Sequence, residues 1–464
     1  MKLKFKIENQ CKTFWKKTNL WIVFLILSLI FLSFTIYLST NLRTDVLPDE
    51  YAHFVFSKHF SSTLGIPTDT AFTTSQGWYI QHNPYLYHWI NGRLINFYSL
   101  IFPLANDWQI LVFLRIISSI YSLGTVIFCF LLSKELIKNK WLQLLPPFML
   151  TNTLMFVFLS GGVSYDNLAN LCSIAGLFYF VKVLKSEKIL FNSLLWLIFI
   201  CLGTLVKYTI LPLALIMTII WLIFVIKNSN LFSLIDIKKP KIISLLIIFF
   251  FLVIGNLSIY GVNLMKYGRI IPHCIQMFPE NVCEISPYVE RYNSEALGQK
   301  MSIVESIYAG FPNPVKYFFD VWIDYMLNNI YGILAHLSYF PSYITILYRL
   351  FFLWLIMLAF KYWNDPPFII YSFVAIFLFY LFVLFIQNYN SELTYGFKQI
   401  SVQGRYLFPV INLLYLLVAY TLEKVNNRII LVGSTLFVIG LFIIGGPIKF
   451  IVRYDTIFIN WFVN

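Results

Sequence analysis

The sequence predicts an all-α protein that crosses a membrane many times. Hydrophobic residues make up 59% of its 464 residues, charged residues make up only 12%, and the mean hydropathy is +0.75. Soluble domains are far less apolar. A helix of about 20 apolar residues spans the hydrocarbon core of a bilayer. Eleven runs of about this length can be placed on the chain, at 20–39, 109–133, 142–160, 167–183, 190–206, 209–226, 242–264, 345–361, 368–386, 405–422 and 429–446.

The distribution of charge predicts the orientation in the plasma membrane. Six lysines between Lys2 and Lys17 precede the first run, and the positive-inside rule therefore places the N-terminus in the cytoplasm. From that start, successive loops are assigned alternately to the outer and the cytoplasmic side. The cytoplasmic segments then carry 19 of the 34 Lys and Arg and 6 of the 21 Asp and Glu. This leaves 15 basic and 15 acidic residues outside. The C-terminus is expected outside. This basicity indicates contact with anionic lipid and argues against nucleic-acid binding.

Three segments on the outer side are too long to be simple turns: 40–108, 265–344 and 387–404. The first segment is predicted to hold short helices over 49–60 and 85–101. In the second, the mixed spacing of apolar residues near 300–329 leaves a re-entrant or interfacial helix open. The chain is thus one transmembrane domain whose extramembrane mass, and any held substrate, lies outside.

Two adjacent carboxylates follow the first run. Asp49 and Glu50 come directly after Pro48, and His53 lies one helical turn further on. Such a group can supply a general base or a metal ligand, and a carboxylate with a slightly raised pKa suits proton removal at neutral pH. The alternative is an acidic first helical turn stabilised by the helix dipole.

A further acid lies in the turn between the third and fourth runs. The topology brings Asp166 to the same face of the membrane as Asp49. Asn170 follows one turn later and is expected to line the helix. An isolated Asp before an apolar run can also be only an N-cap, so both interpretations stay open.

The arginines are unevenly distributed, with eight of nine on the outer side. Arg115 and Arg405 lie inside apolar runs near their outer ends, and Lys207 lies at the outer junction of two runs. Arginine offers a planar fork for phosphate, and charges at such depth usually face a partner or a polar cavity. Snorkelling to the interface is the alternative, above all for Lys207.

The histidines and cysteines are less informative. All six histidines are assigned outside, but no pair has the spacing of a zinc signature, so packing is favoured over metal binding. Cys274 and Cys283 share an outer segment with eight residues between them. Both a disulfide and two free thiols are compatible with that compartment.

Taken together, these segments resemble the GT-C superfamily, and more closely a bacterial group of multispanning membrane proteins within that fold. GT-C enzymes are membrane glycosyltransferases that use polyprenyl-phosphate-linked sugars as donors. The resemblance rests on Pro48-Asp49-Glu50-x-x-His53, His82-Asn83-Pro84-Tyr85, Arg115-x-x-Ser118, Val163-Ser164-x-Asp166-x-x-x-Asn170, Lys207-Tyr208, Tyr267-Gly268 and Gln403-Gly404-Arg405-Tyr406.

The resemblance implies an inverting transfer of a hexose or pentose from the lipid donor to an extracytoplasmic acceptor, such as a glycan of the cell envelope. It implies Asp49 as the general base, with Glu50 second, and Arg405, Lys207 and Arg115 as cations at the donor phosphate. A divalent cation, Mg or Mn, held by Asp49 or Asp166 is a further expectation. Substrate contacts are expected from His53, His82, Tyr85, Asp166, Asn170, Gln403 and Tyr406.

Three other functions remain open. A polysaccharide polymerase or ligase acting on lipid-pyrophosphate oligosaccharides would also use outer arginines but would need no acid on the first outer segment. A transporter or flippase would require polar groups near the bilayer midplane, where this chain is almost purely apolar. A non-catalytic membrane scaffold is the third.

Overall fold

The fold is helical, as the sequence predicts. A computed structural model describes residues 19–44, 46–228, 239–286, 302–309, 313–335, 338–395, 402–448 and 460–463. The six N-terminal lysines and His336 lie outside the described residues. The helices are α1 (Leu20–Asn41), α2 (Glu50–Ser61), α3 (Ala71–Ser75), α4 (Leu86–Ile101), α5 (Asp107–Leu136), α6 (Leu142–Thr151), α7 (Leu154–Ser160), α8 (Tyr165–Leu184), α9 (Ile189–Val206), α10 (Tyr208–Lys227), α11 (Pro240–Tyr267), α12 (Cys274–Met277), α13 (Glu280–Cys283), α14 (Ile303–Ala309), α15 (the successive segments Pro314–Tyr317, Phe318–Trp322, Ile323–Leu327 and Asn328–Gly332), α16 (Ser342–Tyr362), α17 (Phe368–Tyr395), α18 (Gly404–Lys424) and α19 (Arg428–Ile444).

All eleven predicted runs fall on helices, but the number of spans is smaller. Within the described ranges, nine helices are long and apolar enough to cross a membrane: α1, α5, α8, α9, α10, α11, α16, α17 and α18. The bent pair α6 and α7 makes a tenth if it is one span. Helix α19 has 17 residues, which is at the lower limit for a span. Nine or ten helices thus qualify as spans by length and composition, and α19 is the remaining one of the eleven predicted runs.

The bend between α6 and α7 has a local cause. The two helices meet at 65°, although the sequence predicts one straight run. At the break, the side chains of Thr151, Asn152 and Thr153 each donate to the backbone carbonyl four residues earlier, at 2.8–2.9 Å. Side chains that bond to carbonyls in this way compete with the backbone and bend helices.

Helices α8 and α18 form the centre of the bundle. In each of them 78% of the apolar stretch is buried, whereas in α11 only 11% is. Helices α5 and α9 pack on either side of α8. The N-terminal ends of α8 and α18 and the C-terminal end of α9 therefore meet near the centre of one face.

The outer segments carry the remaining helices. The first contains α2, α3 and α4, with α2 packed on α4, close to the predicted helices over 49–60 and 85–101. In the second, α15 continues into a two-stranded antiparallel sheet, β1 (Ile333–Leu334) and β2 (Ser338–Tyr339), in which Ile333 pairs with Tyr339. Helix α17 extends to Tyr395, beyond the end of the predicted apolar run at residue 386.

Residues near the C-terminus lie at the same end of the bundle as the first outer segment. The backbone N–H of Val463 donates to the carbonyl of Asn41 at 2.7 Å, and that of Arg43 donates to Trp461 at 2.9 Å. This contact agrees with the predicted location of the C-terminus on the side to which α1 leads. The side of the membrane itself remains a prediction from charge.

Candidate functional site

An ion pair joins the first outer segment to the start of α18. Nη2 of Arg405 donates to Oδ2 of Asp49, whose side chain is 56% exposed while that of Arg405 is 6% exposed. Asp49 occupies the N-cap of α2, but its side chain caps no backbone N–H. Its φ of 59° is a left-handed conformation, which Asp tolerates better than most residues. The carboxylate therefore faces Arg405 instead of serving its own helix.

Close packing fixes the backbone of Arg405. A Cβ on Gly404 would lie 2.6 Å from the carbonyl carbon of Asn329 in α15, so only glycine permits this approach. The Asn329 amide donates to the Val402 carbonyl at 2.7 Å and supports the chain just before the turn. Nε and Nη1 of Arg405 are buried, and neither has a hydrogen-bond partner among the described residues. Two nitrogens of this guanidinium thus have unused hydrogen-bonding capacity among the described residues.

A second ion pair lies where α8 and α9 meet. Nζ of Lys207 donates to Oδ1 of Asp166, and both side chains are nearly fully buried. Ser164 is the N-cap of α8 and its hydroxyl accepts from the N–H of Asp166 at 3.3 Å. Asp166 is therefore not the N-cap, and Lys207 does not snorkel to the interface. A buried pair of this kind holds both charges in place.

Aromatic rings connect the two ion pairs. Nζ of Lys207 lies 4.7 Å from the ring centre of Tyr406 and 4.4 Å from that of Tyr165. The guanidinium carbon of Arg405 lies 5.8 Å from the Tyr406 ring. Both cations thus lie within cation–π distance of one tyrosine ring. The predicted convergence of Asp49, Asp166, Lys207 and Arg405 is present, with Tyr165 as a member that sequence analysis did not single out.

The electrostatics of Asp49 differ from our expectation. Partial burial raises the pKa of its carboxyl group, but the positive charges of Arg405 and Lys207 lower it further, and the pKa lies below its ordinary value. We predicted a slightly raised pKa. The carboxylate is instead held ionised, ready to accept a proton but weakened as a base by its partner.

His53 forms a pair that the sequence did not predict. Its Nδ1 lies 3.0 Å from Nε2 of His88, which comes from α4. Burial lowers the pKa of His53 to about 4, although Asp49 and Asp166 act to raise it, and burial lowers the pKa of His88 well below its usual range. The two rings are therefore neutral at pH 7. No sequence pattern links these histidines, because 35 residues separate them.

Glu50 and Arg115 form a buried ion pair, here called the buried clamp, which is separate from the half-exposed carboxylate of Asp49. Nε and Nη2 of Arg115 donate to the two oxygens of Glu50 at 2.7 and 2.5 Å. Glu50 also accepts from the N–H of Val163 at 2.9 Å, and Arg115 donates to the carbonyl of Leu42 at 2.6 Å. Both side chains are at most 1% exposed. The predicted roles of Glu50 as a second base and Arg115 as a phosphate-binding cation are not supported by this geometry, because both groups are fully engaged.

Other predicted substrate-binding residues lie around the two ion pairs. Asn170 lies one turn after Asp166 in α8, and its amide is buried with no partner in the described part of the chain. Tyr85 and Tyr208 both pack against the apolar cluster of Leu205, Ile259 and Tyr260. The carbonyl of Gln403 accepts from the N–H of Tyr406 at 3.1 Å and begins the turn that holds Arg405.

His82 and the outer disulfide hold the first outer segment against neighbouring parts of the chain. Nδ1 of His82 shares a hydrogen bond of 3.0 Å with the Asn263 side chain in α11. Cys274 and Cys283 form a disulfide and pack against Tyr79. The open choice between a bridge and two thiols is resolved in this structure for a bridge, which belongs to an oxidising compartment. These contacts give His82 a structural position, away from the predicted substrate contact.

The predicted divalent cation would need Asp49 or Asp166 as ligands. Each carboxylate already pairs with a basic side chain. The described residues also contain no group of three or more His, Cys, Asp or Glu that could hold a metal ion. The donor set therefore does not fit a divalent cation in this arrangement, and metal binding stays a prediction from the resemblance alone.

Comparisons with known proteins give only a weak likeness of fold. No family model matches the sequence, and no curated protein matches it. The crystal structure of the Archaeoglobus fulgidus oligosaccharyltransferase tethered to an acceptor peptide with the NVT sequon is similar over 91% of this chain and 56% of that one, with 13% identity and a TM-score of 0.47. The oligosaccharyltransferase AglB of the same organism, in complex with an inhibitory peptide and a dolichol-phosphate, is similar over 91% and 55%, with 12% identity and a TM-score of 0.45. The chain thus spans little more than half the length of these enzymes. Likeness at this level concerns the general course of the helices and carries no activity over to this chain.

Proposed function

We propose that the protein is an inverting GT-C-type glycosyltransferase that moves a sugar from a polyprenyl-phosphate donor to an acceptor hydroxyl outside the plasma membrane. The observation that carries the proposal is the contact between Asp49 and Arg405. It brings a half-exposed carboxylate, suited to take a proton, against a buried guanidinium with two unused donors. Base and phosphate-binding cation are thereby adjacent, as the reaction requires.

The residues have distinct roles in the proposed reaction. The acceptor oxygen attacks the anomeric carbon while Asp49 takes the hydroxyl proton. The bond from that carbon to the phosphate oxygen breaks, and its electron pair stays on the phosphate. Arg405 and Lys207 stabilise the negative charge that develops there, since fixed cations in a site that excludes water are most effective at the leaving group.

Donor binding also activates the base. Arg405 lowers the pKa of Asp49 while it bonds to the carboxylate. A phosphate that engages the guanidinium offsets that positive charge, and the pKa of Asp49 then rises toward its ordinary value. The carboxylate becomes a stronger base only when the donor is in place, which limits reaction in its absence.

Sugar and acceptor contacts are assigned by position. The free amide of Asn170 lies one turn from Asp166 and can bond to sugar hydroxyls. The second ring nitrogen of His53, Nε2, is buried with no partner in the described residues, and we assign it to either substrate. The hydrocarbon tail of the donor would stay in lipid, which explains why the cations lie at the ends of membrane helices.

The test is a transfer assay on the purified full-length protein in nanodiscs. It is offered polyprenyl-phosphate hexoses and pentoses with a bacterial cell-envelope glycan, and release of the lipid phosphate is followed. We expect release that depends on acceptor, a product with inverted anomeric configuration, and no release by Asp49→Asn. Release only from pyrophosphate-linked oligosaccharides would favour a polymerase or ligase. Movement of the intact donor across proteoliposomes without release would favour a flippase.

A further inference from the structure

The two basic residues of the site lie in matching local structures. Lys207 precedes a 3-10 turn, Tyr208–Ile210, and Arg405 lies in another, Gly404–Leu407. Each base is followed by a tyrosine, and each turn leads into a helix with proline at its first or second position. The same chain geometry thus presents one cation from α10 and one from α18.

In each turn, proline occupies the position whose N–H would bond to one of the carbonyls. In a 3-10 turn the carbonyl of residue i accepts from the N–H of residue i+3. The residue three positions after Thr209 is Pro212, and the residue three positions after Tyr406 is Pro409. Proline has no N–H to donate. Neither carbonyl can therefore accept a backbone hydrogen bond from the residue three positions later.

The Tyr380 hydroxyl reaches both of these carbonyls. Tyr380 lies on α17 and is 3% exposed. Its oxygen lies 3.0 Å from the carbonyl oxygen of Thr209 and 2.8 Å from that of Tyr406, so its one hydroxyl hydrogen is shared between the two carbonyls. A single side chain on a third helix thus bridges the two turns that carry the cations.

We propose that Tyr380 is a positioning residue that holds Lys207 and Arg405 at the spacing at which both contact one phosphate group. This role rests on the proposed function, because it presumes that the ligand carries a phosphate. Tyr380 itself touches neither cation. It acts through the backbone, two residues after Lys207 and one residue after Arg405.

The test measures binding of farnesyl phosphate to the full-length protein in nanodiscs, with farnesol as the neutral comparison. We expect the wild type to prefer farnesyl phosphate. Tyr380→Phe removes only the hydroxyl and should weaken farnesyl phosphate binding by about 3- to 10-fold, the worth of one neutral hydrogen bond, with farnesol binding unchanged. Tyr260→Phe is the matched control, because it also loses a buried tyrosine bond to a carbonyl, that of Thr204, but bridges no pair of cations. We expect its affinity to equal that of the wild type.

A double-mutant cycle separates positioning from a general loss of packing. The background is Asp166→Asn with Lys207→Met, which removes the second ion pair without leaving a lone buried charge. With only one cation left to hold, Tyr380→Phe should change farnesyl phosphate binding by less than about twofold in this background. Equal losses in both backgrounds, or no loss in the wild-type background, would overturn the positioning role. A wild type that binds farnesyl phosphate no better than farnesol would instead overturn the proposed function, and the positioning role with it.

Discussion

Arg405 donates a hydrogen bond to the carboxylate of Asp49, although 356 residues separate them in the sequence. The contact joins the loop after the first membrane helix to the start of a central helix. The carboxylate is half exposed, and the guanidinium is buried with two nitrogens that have no hydrogen-bond partner among the described residues. This relationship makes the charge state of Asp49 depend on what Arg405 binds.

The first prediction concerns the pH dependence of transfer. The pKa of Asp49 is lowered, so the carboxylate is ionised above that pKa, and activity should fall as the pH drops through it. Arg405→Gln removes the main positive charge, and the acid limb of kcat/KM should therefore move to higher pH, besides a loss of rate of about 10²- to 10³-fold. Arg405→Lys keeps the charge and is the matched control, with its acid limb close to that of the wild type. An unmoved limb in Arg405→Gln would mean that another group titrates.

The second prediction concerns Gly404. An alanine there would place its Cβ 2.6 Å from the backbone of Asn329, so the turn must shift and carry Arg405 with it. A displacement of about 1 Å can cost about 10²-fold in rate, and we expect a loss of that order in kcat/KM. Gly433→Ala is the control, since a Cβ there meets no atom within 4 Å. Equal activity of the two variants would show that the position of Arg405 is not limiting.

The third prediction separates the buried clamp from the chemistry. Glu50→Gln leaves the buried Arg115 without its counter-charge, and we expect a loss of stability of about 3–5 kcal/mol, measured as a lower Tm in detergent. Lys58→Gln removes one partner of the exposed pair between Lys58 and Asp107 and should change stability by less than about 1 kcal/mol. If the Glu50→Gln protein has the wild-type Tm but transfers no sugar, Glu50 acts in catalysis and not in stability.

The fourth prediction concerns the disulfide. Closing the loop from Cys274 to Cys283 restricts the unfolded segment, by about 2–3 kcal/mol for a loop of this size. Reduction should speed hydrogen exchange of the amides over 274–286 by roughly 30- to 160-fold. The double variant Cys274→Ser with Cys283→Ser should exchange fast with or without reductant. Unchanged exchange after complete reduction would mean that packing on Tyr79 alone holds the loop.

The sequence predicted the parts of the fold that depend on composition. Each candidate membrane helix of the described residues coincides with a predicted apolar run. Length and hydropathy are sufficient to predict such helices, because their formation does not depend on tertiary contacts. The break in 142–160 was missed, because it depends on side chains that bond to carbonyls of their own helix. The end of α17 was also placed too early, since Gln387 and the polar residues after it continue the helix to Tyr395.

The charged residues of the candidate site were predicted from the sequence, but the ion pairs that they form were not. The predicted topology placed four charged residues on one face of the membrane, and in the structure they lie close together: Asp49, Asp166, Lys207 and Arg405. Sequence could not tell which acid faces which base, so Glu50 was grouped with Asp49 although one is buried and the other half exposed. His88 and Tyr380 were missed for a different reason: each acts on a partner far away in the chain, and nothing in its local sequence indicates it.

The most direct test of the central claim separates donor binding from transfer in Asp49→Asn. Asparagine keeps the left-handed backbone conformation and removes the charge that competes for Arg405. We therefore predict that the variant binds farnesyl phosphate at least as tightly as the wild type and transfers no sugar, whereas Arg405→Gln loses the binding. Transfer by Asp49→Asn at the wild-type rate, or Arg405→Gln with full affinity for farnesyl phosphate, would contradict the account.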